Sequence, residues 1–350
     1  MMKIQIDPIF PHNEAALAEY DELCKQGGIK RDSSLERILA ARDESGRMVA
    51  AGGVSGKTLR SLVTLPGLQG EGIMAQLLGS LLYLQRERGH HQVFIFSKAK
   101  YKSLYESLGF HVIAEIPSGT IMLENSSRRF QDWLNQIKKD SQEIIQERGL
   151  DAQAESAALV MNCNPMTLGH LSLVRWTAER YPITHLFILE EDVSFFSYKE
   201  RRTIVEESTR DLPGVILHGS SDYLISRASF PAYFLRSMDE AAEQQAILDA
   251  GIFKKIADSL GIHCRVLGDE PFLELGKRYN EILREELTSA DLQVEILPRW
   301  KDESGEVISA TRVRSLIKAG EWEEARKLTP PAGHRFINPE YLGERVSSCL

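Results

Sequence analysis

Thr167, Gly169 and His170 stand in the run NCNPMTLGH, directly after the apolar stretch Ala158–Met161. A buried strand that ends in a polar loop and restarts as a helix is a common anion site. The helix N-terminus leaves N–H groups unpaired and carries about half a positive charge. Thr167 and His170 are three residues apart, so on a first helical turn they project from neighbouring positions. Gly169 between them leaves room for a ligand to approach closely, and Asn164, in the loop, belongs to the same phosphate-binding set. A second run, ISATRVR at residues 308–314, sets Ser309, Thr311 and Arg314 at another expected helix start. Two hydroxyls and a guanidinium at that place form a second phosphate site. A lone histidine of this kind is usually a satisfied, partly buried side chain beside an ordinary cap. The pair of sites favours a polyphosphate.

Such residues need elements to hold them, and the second half of the chain supplies a regular alternation. The pattern predicts strands at 157–163, 184–190, 214–218, 262–268 and 292–297, with helices at 168–180, 198–210, 240–260, 274–287 and from 311. Strands and helices alternating at this spacing imply a parallel sheet covered on both faces, which binds ligands at the carboxyl ends of its strands. Between Asn125 and Ser156 the chain is polar and charged, with Phe130, Trp133, Leu134, Ile137, Ile144 and Ile145 near helical spacing. That stretch predicts a connecting helix, or two. The expected division is a first domain at 1–125, a connecting helical segment at 126–155 and a second domain at 156–350.

Composition bounds the function classes. A chain of 350 residues with 43% hydrophobic and 26% charged residues is ordinary for a globular protein and long enough for more than one core. The net charge of -8 argues against a general nucleic-acid binder. Without a long apolar run or a signal peptide in MMKIQIDPIF, neither a membrane span nor export is expected, and the cytoplasm is the expected location. Cys24, Cys163, Cys264 and Cys349 form no CxxC or His/Cys pattern, so they read as free thiols and no metal site is expected.

From roughly Ala157 to Leu350 these motifs resemble the nucleotidylyltransferase superfamily, whose signatures are (H/T)xGH and ISSTxxR, with Ala310 here in place of the second serine. The resemblance implies that Thr167 and His170 stabilise charge on the α-phosphate of ATP. It implies that Ser309, Thr311 and Arg314 hold the β- and γ-phosphates. In that family a basic residue at the start of the helix within EEDVSFFSYKERRTIV reaches the phosphates or the acceptor, which implies Lys199 and Arg202; a solvated helix face is the other reading of that charge run. The stretch LGDEPFLELGKRYNEIL falls where the family recognises adenosine, which implies Gly268, Glu270 and Tyr279, although acidic residues after a strand are also ordinary turn formers.

The first domain carries LPGLQGEGIMAQLLGSLLYLQRERG and SLYESLGF, which resemble the acyl-CoA loop and the (F/Y)YExxGF segment of the GCN5-related N-acetyltransferase (GNAT) fold. Gln69 and Gly72 fit the loop, and Met74 stands where the family has a small residue. Tyr105 matches a position that often holds a general acid, or is core packing with Leu108 and Phe110. The order of parts along nearly the whole chain resembles the citrate lyase ligase family. That resemblance implies activation of acetate by ATP with Mg²⁺, followed by acetylation of the CoA-like prosthetic-group thiol of the citrate lyase acyl carrier protein. The alternatives are an adenylyltransferase acting on a phosphorylated small molecule and a nucleotide-binding module without turnover.

Overall fold

The computed structural model describes residues 3–117, 119–190, 195–224, 233, 235, 238–270 and 274–342. The chain divides into two compact units, Met1–Phe130 with Arg227–Gly251, and Gln131–Ser226 with Ile252–Leu350. The segment after the strand expected at 214–218, with the start of the helix expected at 240–260, therefore groups with the first unit.

In the first unit, strands β1 (Gln5–Ile9), β2 (Arg37–Arg42), β3 (Met48–Ser55), β4 (Thr58–Thr64), β5 (Phe94–Lys98), β6 (His111–Glu115) and β7 (Thr120–Glu124) form one sheet. Its order is β1-β2-β3-β4-β5-β7-β6, and only β4 and β5 run parallel. Helix α1 (Glu14–Gln26) buries Ala16, Tyr20, Leu23 and Cys24, a stripe at helical spacing. It shares a core with Ala40, Met48 and Ala51. Helix α2 (Ile73–Glu87) buries Ile73, Leu77, Leu78 and Leu81 with Ala41, Val49 and Ala50 in a separate core. Neighbouring residues Ala40 and Ala41 point to opposite faces because side chains alternate along a strand. Helix α3 (Lys102–Ser107) is a short connection. Strand β1 tolerates Pro8 because it is an edge strand.

Helix α4 (Arg129–Glu147) is a single helix that buries Leu134, Ile137 and Ser141. Then follow β8 (Ser156–Met161), α5 (Leu168–Arg180), β9 (Ile183–Ile188), α6 (Tyr198–Ser208), β10 (Val215–Gly219), α7 (Met238–Leu260), β11 (Cys264–Gly268), α8 (Glu274–Thr288) and β12 (Gln293–Leu297). Helices α9 (Ala310–Lys318) and α10 (Trp322–Lys327) complete the described elements of the second unit with a 3-10 turn at Pro331–Phe336. Its sheet has the order β10-β9-β8-β11-β12, and every pairing is parallel. Strand β9 is buried at all of its positions, as a strand covered on both faces must be. The chain reverses its direction of travel across the sheet between β8 and β11, and the carboxyl ends of those two strands are where such sheets bind ligands.

Candidate active site

Strand β8 hands over to a loop in which Cys163 takes a left-handed φ of 51°. Thr167 then caps α5: its Oγ1 accepts from His170 N at 3.2 Å, and Thr167 N donates to His170 Nδ1 at 3.0 Å. A backbone N–H can only donate, so Nδ1 carries no proton and the neutral ring keeps its hydrogen on Nε2. Thr167 Oγ1 also lies 3.0 Å from Nδ1, and the residue is only 1% exposed. Its hydroxyl therefore serves to hold the imidazole. Burial, followed by the positive charges of Arg299 and Arg314, pushes the His170 pKa down to about 4. At neutral pH this histidine is an uncharged hydrogen-bond donor at a helix N-terminus.

Ser309 caps α9 by accepting from Arg312 N at 3.2 Å. A Cβ on Gly169 would lie 3.2 Å from the Ile308 carbonyl oxygen. The space expected to admit a ligand is thus filled by the chain itself, and the missing side chain lets the two helix N-termini stand side by side. Arg314 closes the arrangement, with Nη1 donating to Asn164 O at 2.6 Å and Nη2 to Thr311 Oγ1 at 3.0 Å. Both acceptors are neutral and Arg314 forms no ion pair among the described residues, so its charge is uncompensated. Arg312 points elsewhere, to Asp302 at 2.6 Å and Glu306 at 2.9 Å.

Helix α6 brings a different residue from those expected. Arg201 is fully buried. It donates to Asn162 O at 2.7 Å, Asn162 Oδ1 at 3.0 Å, Leu189 O at 2.7 Å and Phe196 O at 3.1 Å. It ties the ends of β8 and β9 to the start of α6. Asn164 Oδ1 accepts from Phe196 N at 2.9 Å, which braces the loop a second time. Lys199 is exposed, and Arg202 donates to Tyr198 Oη at 3.1 Å and acts electrostatically on His218. No described contact draws either into the group around His170. Residues 191–194, at the start of the EDVS segment, lie outside the described residues.

At the end of β11, Gly268 O accepts from Asn280 Nδ2 at 3.1 Å. Tyr279, the neighbouring residue, is half-buried on α8. Glu270 pairs with Arg299, whose Nε also donates to Asp269 O at 2.7 Å. Arg299 and Asn280 were not singled out in the sequence, and Arg201 was read with Lys199 and Arg202 as a charge run open to being a solvated face, which its burial rules out for Arg201. Of the first two, only Arg299 carried a signal, as a basic residue two positions beyond the last strand of a parallel sheet.

In the first unit Gly72 caps α2 at φ 76°, a left-handed position that suits glycine, and Gln69 is exposed in the preceding loop. Met74 packs against the α2 core. Tyr105 is 5% exposed and meets Phe110 edge-on at 6.4 Å, and burial raises its phenol pKa to about 12. The ring thus belongs to the α2 core, while its hydroxyl bonds with Ser97. A cleft of about 650 Å³ in the same unit is bordered by Lys25, Lys30, Lys98, Tyr233 and the Asp21–Arg31 ion pair, 2.7 Å apart. Cys24, Cys163 and Cys264 are free and buried, with Cys163 held up at about 12 by burial; Cys349 lies outside the described residues. No helix among the described residues is long and apolar enough to cross a membrane.

A parallel sheet with two helix N-termini, a neutral histidine and an uncompensated guanidinium at its switch point defines a Rossmann-like domain. Residues 156–337 match the model of the citrate lyase ligase C-terminal domain. A citrate (pro-3S)-lyase ligase of Klebsiella pneumoniae is 32% identical over 342 residues, covering 96% of this chain and 96% of that protein. One from Escherichia coli is 30% identical over 327 residues, 92% of this chain and 90% of that protein. The chain belongs to the citrate lyase ligase family. Among solved structures, a GNAT family N-acetyltransferase of Escherichia coli in complex with CoA is 17% identical and covers 36% of this chain and 83% of that one, with a TM-score of 0.29. A GNAT family acetyltransferase of Staphylococcus aureus is 16% identical over 34% of this chain and 98% of that one, also with a TM-score of 0.29.

Proposed function

We propose that this chain is an ATP-dependent, AMP-forming acid–thiol ligase that activates acetate as acetyl-AMP and acetylates the prosthetic-group thiol of the citrate lyase acyl carrier protein. The observation that carries the reading is the junction of α5 and α9 beside His170 and Arg314, in a chain similar over 96% of its length to a protein of that name. Acetate lacks a leaving group, so its oxygen first attacks the α-phosphorus and pyrophosphate departs. The carrier thiol then attacks the acyl carbon, and AMP leaves with the electrons of the broken C–O bond.

In this reading His170 donates its Nε2–H to an α-phosphate oxygen as charge grows there, and Thr167 is the positioning residue that fixes the ring. Ser309, Thr311 and Arg314 hold the leaving pyrophosphate, assisted by the unpaired N–H groups of α9. Asn164 and the Gly169 backbone border the phosphates. Gly268, Glu270 and Tyr279 border the nucleoside, and Lys199 and Arg202 approach from α6 once substrates are present. Mg²⁺ would arrive on the triphosphate and neutralise it, since that ion prefers phosphates and water to a cage of side chains. The first unit, with its basic cleft, receives the phosphate-bearing arm of the carrier; acyl transfer from acetyl-CoA without ATP would overturn that assignment.

Pyrophosphate exchange into ATP, measured with and without acetate, tests the central reading. Exchange that requires acetate and is lost in a folded His170→Ala variant supports it. Exchange independent of acetate, with an adenylylated phosphate ester as product, would establish an adenylyltransferase instead.

A further inference from the structure

Arg299 and Glu270 form an ion pair at the carboxyl edge of the second sheet, one step from the phosphate site. Arg299 follows β12, and its Nε is fixed on the carbonyl of Asp269, the first residue after β11. Asp269 N in turn donates to Leu297 O at 2.8 Å, so the ends of β11 and β12 are joined under the guanidinium. Strand β11 is the partner of β8, whose loop leads into His170. Arg314 donates to Asn164 O within that loop.

The two arginines differ in their company. Arg314 rests on neutral acceptors and presents its charge constantly. Arg299 is compensated by the Glu270 carboxylate, at side-chain exposures of 25% and 36%, so water and ligand reach the pair. An exposed ion pair of this kind is held by about 1 kcal/mol or less, little enough for a competing phosphate to exchange it. A nucleotide whose pyrophosphate lies against α9 and Arg314, and whose nucleoside lies toward β11, carries its α-phosphate past His170, the side chain that both guanidiniums reach electrostatically.

We propose, building on the ligase reading, that Arg299 is a catalytic residue: it leaves Glu270 when nucleotide binds and donates to a non-bridging oxygen of the α-phosphate. The chemistry requires such a group. An anionic carboxylate must approach a phosphorus ringed by anionic oxygens, and a cation on the nucleoside side reduces that repulsion without touching the leaving pyrophosphate. Glu270, once released, is left beside the nucleoside as an acceptor for a ribose hydroxyl.

The test uses the two α-thio diastereomers of ATP with the full chain. Sulfur at the oxygen that Arg299 contacts weakens the bond, so the wild type binds one diastereomer at least about fivefold less tightly, a loss on the order of a neutral hydrogen bond. Arg299→Gln removes most of that preference, raises the KM for ATP about fivefold and lowers the rate of exchange about 100-fold, the pattern of a donor engaged on binding and strengthened in the transition state. Arg299→Lys restores part of the rate, since charge is kept and the fork is lost. A wild type without diastereomer preference, or an Arg299→Gln protein that keeps it, overturns the proposal. Thio-nucleotide binding needs no acetate, so exchange that ignores acetate would sink the ligase reading and leave the Arg299 result to be judged on binding alone.

Discussion

Replacing Arg201 by Met removes a buried guanidinium and keeps an apolar stem of similar length. The main-chain carbonyls of Asn162, Leu189 and Phe196 then lose a charged donor. Each buried acceptor left without its partner costs about 1 to 3 kcal/mol, so three of them amount to roughly 3 to 9 kcal/mol. Met also relieves the cost of keeping a guanidinium out of water, several kcal/mol, which sets the expected net loss near 3 kcal/mol. Against a typical domain stability of about 5 to 15 kcal/mol the second unit stays folded at 25 °C. Its site suffers more than its stability, because Asn162 begins the loop that carries His170. A displacement of about 1 Å there lowers a positioned reaction up to 100-fold. Urea unfolding followed by circular dichroism gives the first quantity and pyrophosphate exchange the second. A loss below about 1 kcal/mol with exchange unchanged would refute the bracing argument. Arg201→Lys distinguishes charge from geometry: one ammonium cannot span acceptors on three segments, so it recovers less than half of the loss.

Two further outcomes follow from the same geometry. Gly169→Val drives side-chain atoms into the Ile308 carbonyl, 3.2 Å from the Cβ position, so it costs about 1 to 3 kcal/mol and lowers exchange at least tenfold; a melt and an exchange rate equal to wild type would show that α5 and α9 need not touch. Stability falls with acidity through the buried histidines: His185 and His170 are pushed down to about 4, and His218, 3.0 Å from His185, is also driven down. Their unfolded pKa is near 6.5, so the unfolded chain takes up protons first as pH drops. Stability is complete above about 6.5 and is lost progressively toward about 4, with His185 alone contributing about 3 kcal/mol by then. Urea midpoints at pH 7.5, 6 and 5 measure this, and a midpoint that holds or rises on acidification contradicts it. Asp302, held at about 2 by its Ser304 and Arg312 hydrogen bonds, titrates below that window.

The second unit's alternation is legible in residue order, because a parallel sheet covered on both faces forces apolar strands such as Ile183–Ile188 between amphipathic helices. Both helix starts are legible there too, since Thr167 and Ser309 are caps by residue type and local spacing. Both are short-range properties. That residues 227–251 group with the first unit follows from long-range contacts, not from chain order, and the folded chain settles it. The folded chain also decides that Gly169 admits Ile308, that Arg201 is a buried brace while Lys199 on the same helix is exposed, and that Glu270 is held by Arg299. Each of these outcomes joins residues separated by many positions. Residue type fixes what a guanidinium or a glycine can do, and the packing of distant segments fixes which partner it meets.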